Sequence, residues 1–179
     1  MRSIYHVLLV TAAVIFSGLS LLNSAQASNG QINVTGNIVA NTCNISIDDR
    51  NKTVNMGTVS SKQFLDGTTT AFPKEFTISL VDCGPAASGM TVGFHGAEDT
   101  NRHDLLALDT DSASASGMAI ALLDANKTPI PINTRTSTYG INANADLMVL
   151  HFFAQYTANG ASVSAGKANA MATFDFIYD

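Results

Sequence analysis

Tryptophan is absent from this 179-residue chain, proline occurs only four times, and only 13% of residues are charged. The few prolines, with 13 glycines that follow no repeat, exclude collagen-like and proline-rich classes. Basic residues are the scarcer charge, 9 against 14 acidic, for a formal net charge of −5. No basic surplus is on hand to neutralise phosphates, which argues against a nucleic-acid partner. An apolar content of 46% with so little charge excludes a disordered chain. The length suits one domain, or two very small ones, and excludes a large multidomain enzyme.

A long hydrophobic span is also missing. The mostly apolar stretch Val7–Leu22 covers 16 residues and is broken by Thr11, Ser17, Gly18 and Ser20. Crossing a bilayer takes about 20 apolar residues. Arg2 precedes the stretch, and Ala25-Gln26-Ala27 follows with small residues at the −3 and −1 positions of a cleavage site. The pattern predicts a secretory signal peptide over residues 1–27, with a short membrane anchor as the competing reading. No later segment is long and apolar enough to span a membrane.

Cysteine is nearly absent too. Cys43 and Cys83 are the only two, and both follow the predicted cleavage site. An even count in an exported chain reads as one disulfide, against the alternative of two free thiols. A link across forty positions removes roughly 4 kcal/mol of unfolded-state entropy in the loop-closure model. Neither cysteine sits in a C-x-x-C pair, so redox catalysis and a zinc knuckle lack support, and the bridge reads as structural.

What is present is alternation. Ile32, Val34, Gly36, Ile38 and Ala40 share one parity, with polar Asn33, Thr35 and Asn37 between them. Phe76, Ile78 and Leu80 alternate before Cys83, and Met90, Val92 and Phe94 after it. Met118, Ile120 and Leu122 form another row, followed by Ile130 and Ile132. Leu147–Tyr156 is denser and suits a strand buried on both faces; Ala170, Ala172, Phe174, Phe176 and Tyr178 close the series. Period two is the signature of strands. Turn signals separate the rows, at Asp48–Asn51, Asp66-Gly67, Gly84-Pro85, Asp124–Lys127 and Asn159-Gly160. Many short strands so punctuated predict an all-β sandwich, with a short helical turn within Thr100–Leu108 and a surface loop over Ser112–Ser116.

Constellations for catalysis are lacking. His95 and His103 flank Glu98 and Asp99, yet without the tight spacing of a metal site. No G-x-S-x-G elbow, phosphate loop or dinucleotide fingerprint occurs. The carboxylates are scattered over turns, so no glycosidase pair can be located. The chain reads as a non-enzyme with no metal and no cofactor.

The two ends carry the functional signal. The first row, ahead of Cys43, has a glycine among its apolar positions and is either an ordinary first strand or a strand free to pair elsewhere. With it come Thr53–Val59, Phe76–Cys83, Val92–Gly96, Leu105–Leu108 leading to Ile120–Asp124, and the closing Ala172–Asp179. Tyr178 is penultimate, and Gly166 stands fourteenth from the end. In this order the segments resemble the pilins of chaperone–usher fimbriae of the type 1 kind, over essentially the whole exported chain.

The resemblance implies an immunoglobulin-like sandwich that lacks its last strand and is completed by donor-strand complementation. It implies a donor extension at 28–39, with Ile32, Val34, Gly36 and Ile38 facing a neighbour's groove, and a pilin domain at 40–179. Gly166, Phe174, Phe176, Tyr178 and Asp179 would form the chaperone-recognition signature and groove edge. The implied partners are a periplasmic pilus chaperone, an outer-membrane usher and neighbouring fimbrial subunits, a tip adhesin among the candidates. The implied route runs through the periplasm to a fimbrium on the bacterial surface. The chain is too short for a two-domain adhesin and has a donor strand that a terminator would lack. Leu105–Asp109 and Pro129–Asn133 look more like a minor tip-adaptor than a major rod-forming pilin. A free-standing secreted β-sandwich lectin is the alternative from another class, with Tyr139 in a polar loop as its best sugar-site candidate.

Overall fold

The computed structural model describes residues 33–36, 42–65 and 69–179. The chain divides into a short N-terminal unit, Met1–Asn37, and a larger one, Ile38–Asp179. In the first, residues 33–36 carry no regular secondary structure, and Val34 is 90% exposed. The predicted signal peptide, and Ile32 and Ile38 of the predicted donor row, lie outside the described residues. Among the described residues no helix is long and apolar enough to cross a membrane.

The larger unit is built from strands β1 (Asn44–Ile45), β2 (Lys74–Val81), β3 (Gly89–Gly96), β4 (Met118–Leu123), β5 (Pro129–Ile130), β6 (Tyr139–Gly140), β7 (Leu147–Ala158) and β8 (Ala172–Tyr178). A 3-10 helix, Ile47–Asp49, and a four-residue helix α1, Lys62–Leu65, complete the elements. One sheet has the order β1-β2-β7-β4-β5, the other β6-β3-β8, and every strand pair is antiparallel. The inward rows of β2, β3, β4 and β7 meet in one core, where Ile78, Leu80, Met90, Val92 and Phe152 are almost fully buried. Phe94 and Phe76 pack on Phe152 at ring separations of 5.1 and 5.7 Å. Alternation puts each apolar row on the core face, which is why these strands were legible in one dimension.

Several sequence readings change. β7 is not buried on both faces: Leu150, Phe152, Ala154 and Tyr156 point inward, while Leu147 and Val149 are 60% and 40% exposed. β4 is the strand covered on both sides, because Leu105 joins Ala119, Ala121 and Leu123 in a second small cluster outside the sheet. The Thr100–Leu108 stretch forms a turn rather than a helix. It is organised by buried Asp99, whose carboxylate accepts the Asn101 and Arg102 N–H groups and the Asn159 side-chain amide. Ser112–Ser116 stays a surface loop, as read from the sequence, and is held by bridges Ser114↔Lys167 and Ser116↔Ser164.

Cys43 and Cys83 are bonded across a sequence separation of 40, tying the residue before β1 to the end of β2. Thiol labelling of the denatured, unreduced protein should therefore detect no free thiol, and stoichiometric labelling of both cysteines would contradict the bridge.

Candidate functional site

β8 is an edge strand with an unusual inward face. It pairs with β3 from Met90↔Tyr178 to Gly96↔Ala172, and among the described residues no strand pairs with its other edge. Its outward row is polar at Thr173 and Asp175. Asp175 accepts a 2.8 Å bond from Arg135 and lies 3.2 Å from His95 Nε2. Burial pushes the Asp175 carboxyl up, but the hydrogen bonds from Arg135 and His95 outweigh it and hold it below its ordinary value. Its inward row, Ala172, Phe174, Phe176 and Tyr178, touches the core yet stays only half-buried. A core-facing aromatic row is half-exposed when the layer beside it stops short.

The gap beside β8 is a groove of about 940 Å³. Phe76, Ile78, Phe94, Ile120, Leu122 and Tyr156 form its floor, and Ala168–Phe174 one wall. The opposite wall is Arg50–Gly57. There Val54 and Met56 turn toward the core while Thr53 and Asn55 face out, the alternation of a strand. No backbone–backbone hydrogen bond joins Asn51–Val59 to another described residue. Two extended segments thus flank an apolar trough, and each has main-chain groups facing no strand among the described residues. Such edges accept a further strand, whose backbone would pair with the free edge while alternate side chains fill the trough.

Side chains set the ends of the walls. Tyr156 donates from its hydroxyl to the Ala168 carbonyl at 2.7 Å, tying the wall to the floor. Tyr178 donates to the Cys43 carbonyl at 3.1 Å, so the end of β8 is tied to the disulfide-bearing segment. Burial raises the Tyr178 phenol above its ordinary value against the pull of the Cys43 bond, so it is a neutral donor at physiological pH. Asp179 follows, its backbone N–H bonded to the Gly89 carbonyl at 3.0 Å.

Among the predicted site residues, the structure thus places Phe174, Phe176 and Tyr178 on one face of β8. Gly166 lies apart, two residues before the lining begins. A Cβ there would come within 2.5 Å of the Ser114 carbonyl carbon and 2.6 Å of the Ala113 oxygen. Its missing side chain lets 164–167 run against 113–116, with the Ala115 and Lys167 N–H groups each donating at 2.8 Å. Both clash partners are backbone, so Gly166→Ala should destabilise the fold by about 1–3 kcal/mol. A urea midpoint equal to wild type would count against that packing role.

Tyr139 is not a loop residue. It pairs with Met90 in β6 and packs edge-on against Phe152 at 6.2 Å, with burial first and Asp124 second raising its phenol's pKa. It is a half-buried contact of the core. The histidines also diverge: His95 faces Asp175, His103 lies 3.4 Å from Glu98, and Asp99 is turned inward. Sequence reasoning missed the Arg50–Gly57 wall as a functional element. Its only signal was the Val54/Met56 alternation.

Residues 32–179 match the family model described as fimbrial protein. The fimbrial-like protein FimF of Salmonella typhimurium is 34% identical over 176 residues, 97% of this chain and 98% of that protein. The probable major fimbrial subunit LpfA of Escherichia coli O157:H7 is 30% identical over 175 residues, 95% and 94% of the two chains. The fold is similar to a solved chaperone–usher pilus chain, with a TM-score of 0.64 and 22% identity over 87% of this chain and 99% of that one.

Proposed function

This chain belongs to the fimbrial protein family, and we propose that it is an internal subunit of a chaperone–usher fimbria that both accepts and donates a strand. The observation that carries the reading is the apolar groove beside the edge of β8 that pairs with no strand among the described residues. Strand addition to an open sheet edge is an established recognition mode, chaperone–pilin complexes among its known cases. A periplasmic chaperone fills the groove first. At the outer-membrane usher a neighbouring subunit's extension replaces it.

The donor is the segment 28–39. Val34 stands 90% exposed, free to enter another subunit's groove. Ile32, Val34 and Ile38 are its apolar knobs, each worth roughly 1.5–3 kcal/mol on full burial. Gly36 shares their parity, and a Cβ built on it meets nothing within 4 Å among the described residues. Gly36→Val in a donor peptide should weaken exchange into the neighbouring subunit by about 1–3 kcal/mol, the usual cost of overpacking. An exposed strand position would instead welcome valine, so equal or faster exchange refutes a groove-facing Gly36.

Within the fimbria the position we favour is that of a minor tip-adaptor, next to a tip adhesin, because Leu105–Asp109 and Pro129–Asn133 resemble that class. The likeness to LpfA favours the rod-forming alternative. Immunogold labelling of intact fimbriae separates them. Label confined to fibre ends supports the adaptor, and label along the shaft overturns it. Native mass spectrometry of periplasmic protein tests the shared premise: a one-to-one chaperone complex or a ladder of multimers is expected, and a lone monomer would overturn strand exchange.

A further inference from the structure

The free wall of the groove begins where the chain leaves the five-stranded sheet, and one buried carboxylate marks the place. β1 pairs with β2 at Asn44↔Val81 and Ile45↔Leu80, and Ser46 N–H still donates to the Ser79 carbonyl at 2.9 Å. In a continuing antiparallel ladder Ser79 N–H would donate back to the Ser46 carbonyl. That carbonyl instead accepts Asp49 N–H at 3.0 Å, inside the 3-10 helix. The Asp49 carboxylate takes the vacated position, accepting Ser79 N–H at 2.7 Å. Asp49 is only 3% exposed, and its second oxygen pairs with Lys52. Lys52 lies within the wall itself and lines the groove.

We infer that Asp49 is a positioning residue for strand uptake: it ends β1, turns the chain across to the open layer, and through Lys52 holds Arg50–Gly57 at its distance from β8. The inference rests on the groove being a strand acceptor. The wall has no ladder of its own among the described residues, so its place depends on this anchor and on the packing of Val54 and Met56. Burial pushes the Asp49 carboxyl up, but the bonds from Lys52 and Ser79 outweigh it, so the group is held below its ordinary value and is ionised at neutral pH.

Three full-chain variants test it. Asp49→Ala removes both contacts, Asp49→Asn keeps an acceptor for Ser79 N–H but loses the charge, and Lys52→Met removes the ion-pair partner without orphaning Ser79. Hydrogen exchange read by mass spectrometry should show the bonded amides of the anchor, Ser46, Asp49, Arg50 and Ser79, exchanging about tenfold faster or more in Asp49→Ala, the effect of losing a charge-assisted bond. Asp49→Asn should be partly rescued, and β7 should be unchanged in all three. Uptake of a synthetic peptide of residues 28–39, used as the probe strand, should slow in the same order. Unchanged exchange at these four amides together with equal uptake in every variant overturns the Asp49 inference alone. No uptake by the wild type, with exchange at these amides still raised in Asp49→Ala, overturns the acceptor reading and leaves Asp49's anchoring of the wall's start standing.

Discussion

Deleting residues 28–39 is expected to abolish the detergent-stable complex between this subunit and the neighbour that receives its strand, while chaperone binding survives. The two functions draw on different residues. The groove is made by residues within 45–57, 76–94, 106–122 and 154–174. The deletion touches none of these. It removes Ile32, Val34 and Ile38, three aliphatic side chains worth roughly 1.5–3 kcal/mol each on full burial. It also removes the main-chain pairing of an added strand, at about 1 kcal/mol net per hydrogen bond. A contact that loses all of these terms falls below detection. Two measurements decide the matter: an unboiled gel for the subunit–subunit complex, and co-purification with the chaperone from periplasm. A complex that persists after the deletion would remove 28–39 from the donor role.

Tyr178→Ser should produce the opposite pattern, a loss of chaperone-bound subunit and degradation in the periplasm. Tyr178 does two things at the end of β8. Its ring continues the aromatic row of β8, 6.4 Å from that of Phe176. Its hydroxyl donates to the Cys43 carbonyl, joining the C-terminal strand to the disulfide-bearing segment. Replacing a fully buried aromatic with a small residue costs about 3–5 kcal/mol, and a half-buried one correspondingly less. Serine loses the ring and cannot reach Cys43. Tyr178→Phe separates the contributions, since it keeps the ring and gives up one hydrogen bond worth about 1 kcal/mol. The expected order of chaperone-bound yield is wild type, then Phe, then Ser well below both. Equal yields for Ser and wild type would remove Tyr178 from the chaperone's handle.

Much of this architecture was readable before any coordinates. β2, β3 and β8 appear where Phe76–Leu80, Met90–Phe94 and Ala172–Tyr178 alternate. The pairing of Cys43 with Cys83 followed from count and export alone. Side-chain alternation and composition are local properties, so a linear string carries them intact. Tyr139 and Asp49 were misread or missed for one common reason. The ring that Tyr139 meets and the amide that Asp49 serves lie 13 and 30 positions away. A polar residue between turn signals reads as a loop residue until a distant partner is known.

The class of fold, the faces of its principal strands and the likeness to fimbrial subunits are written in the local pattern of residues. The assembled sheets add that β8 is left at an edge, that Arg50–Gly57 stands opposite it with no ladder among the described residues, and that an apolar trough lies between them. Which residues alternate is settled over a few neighbours along the chain. Which edge lacks a partner depends on how every strand pairs, and that becomes defined only when the sheets are assembled.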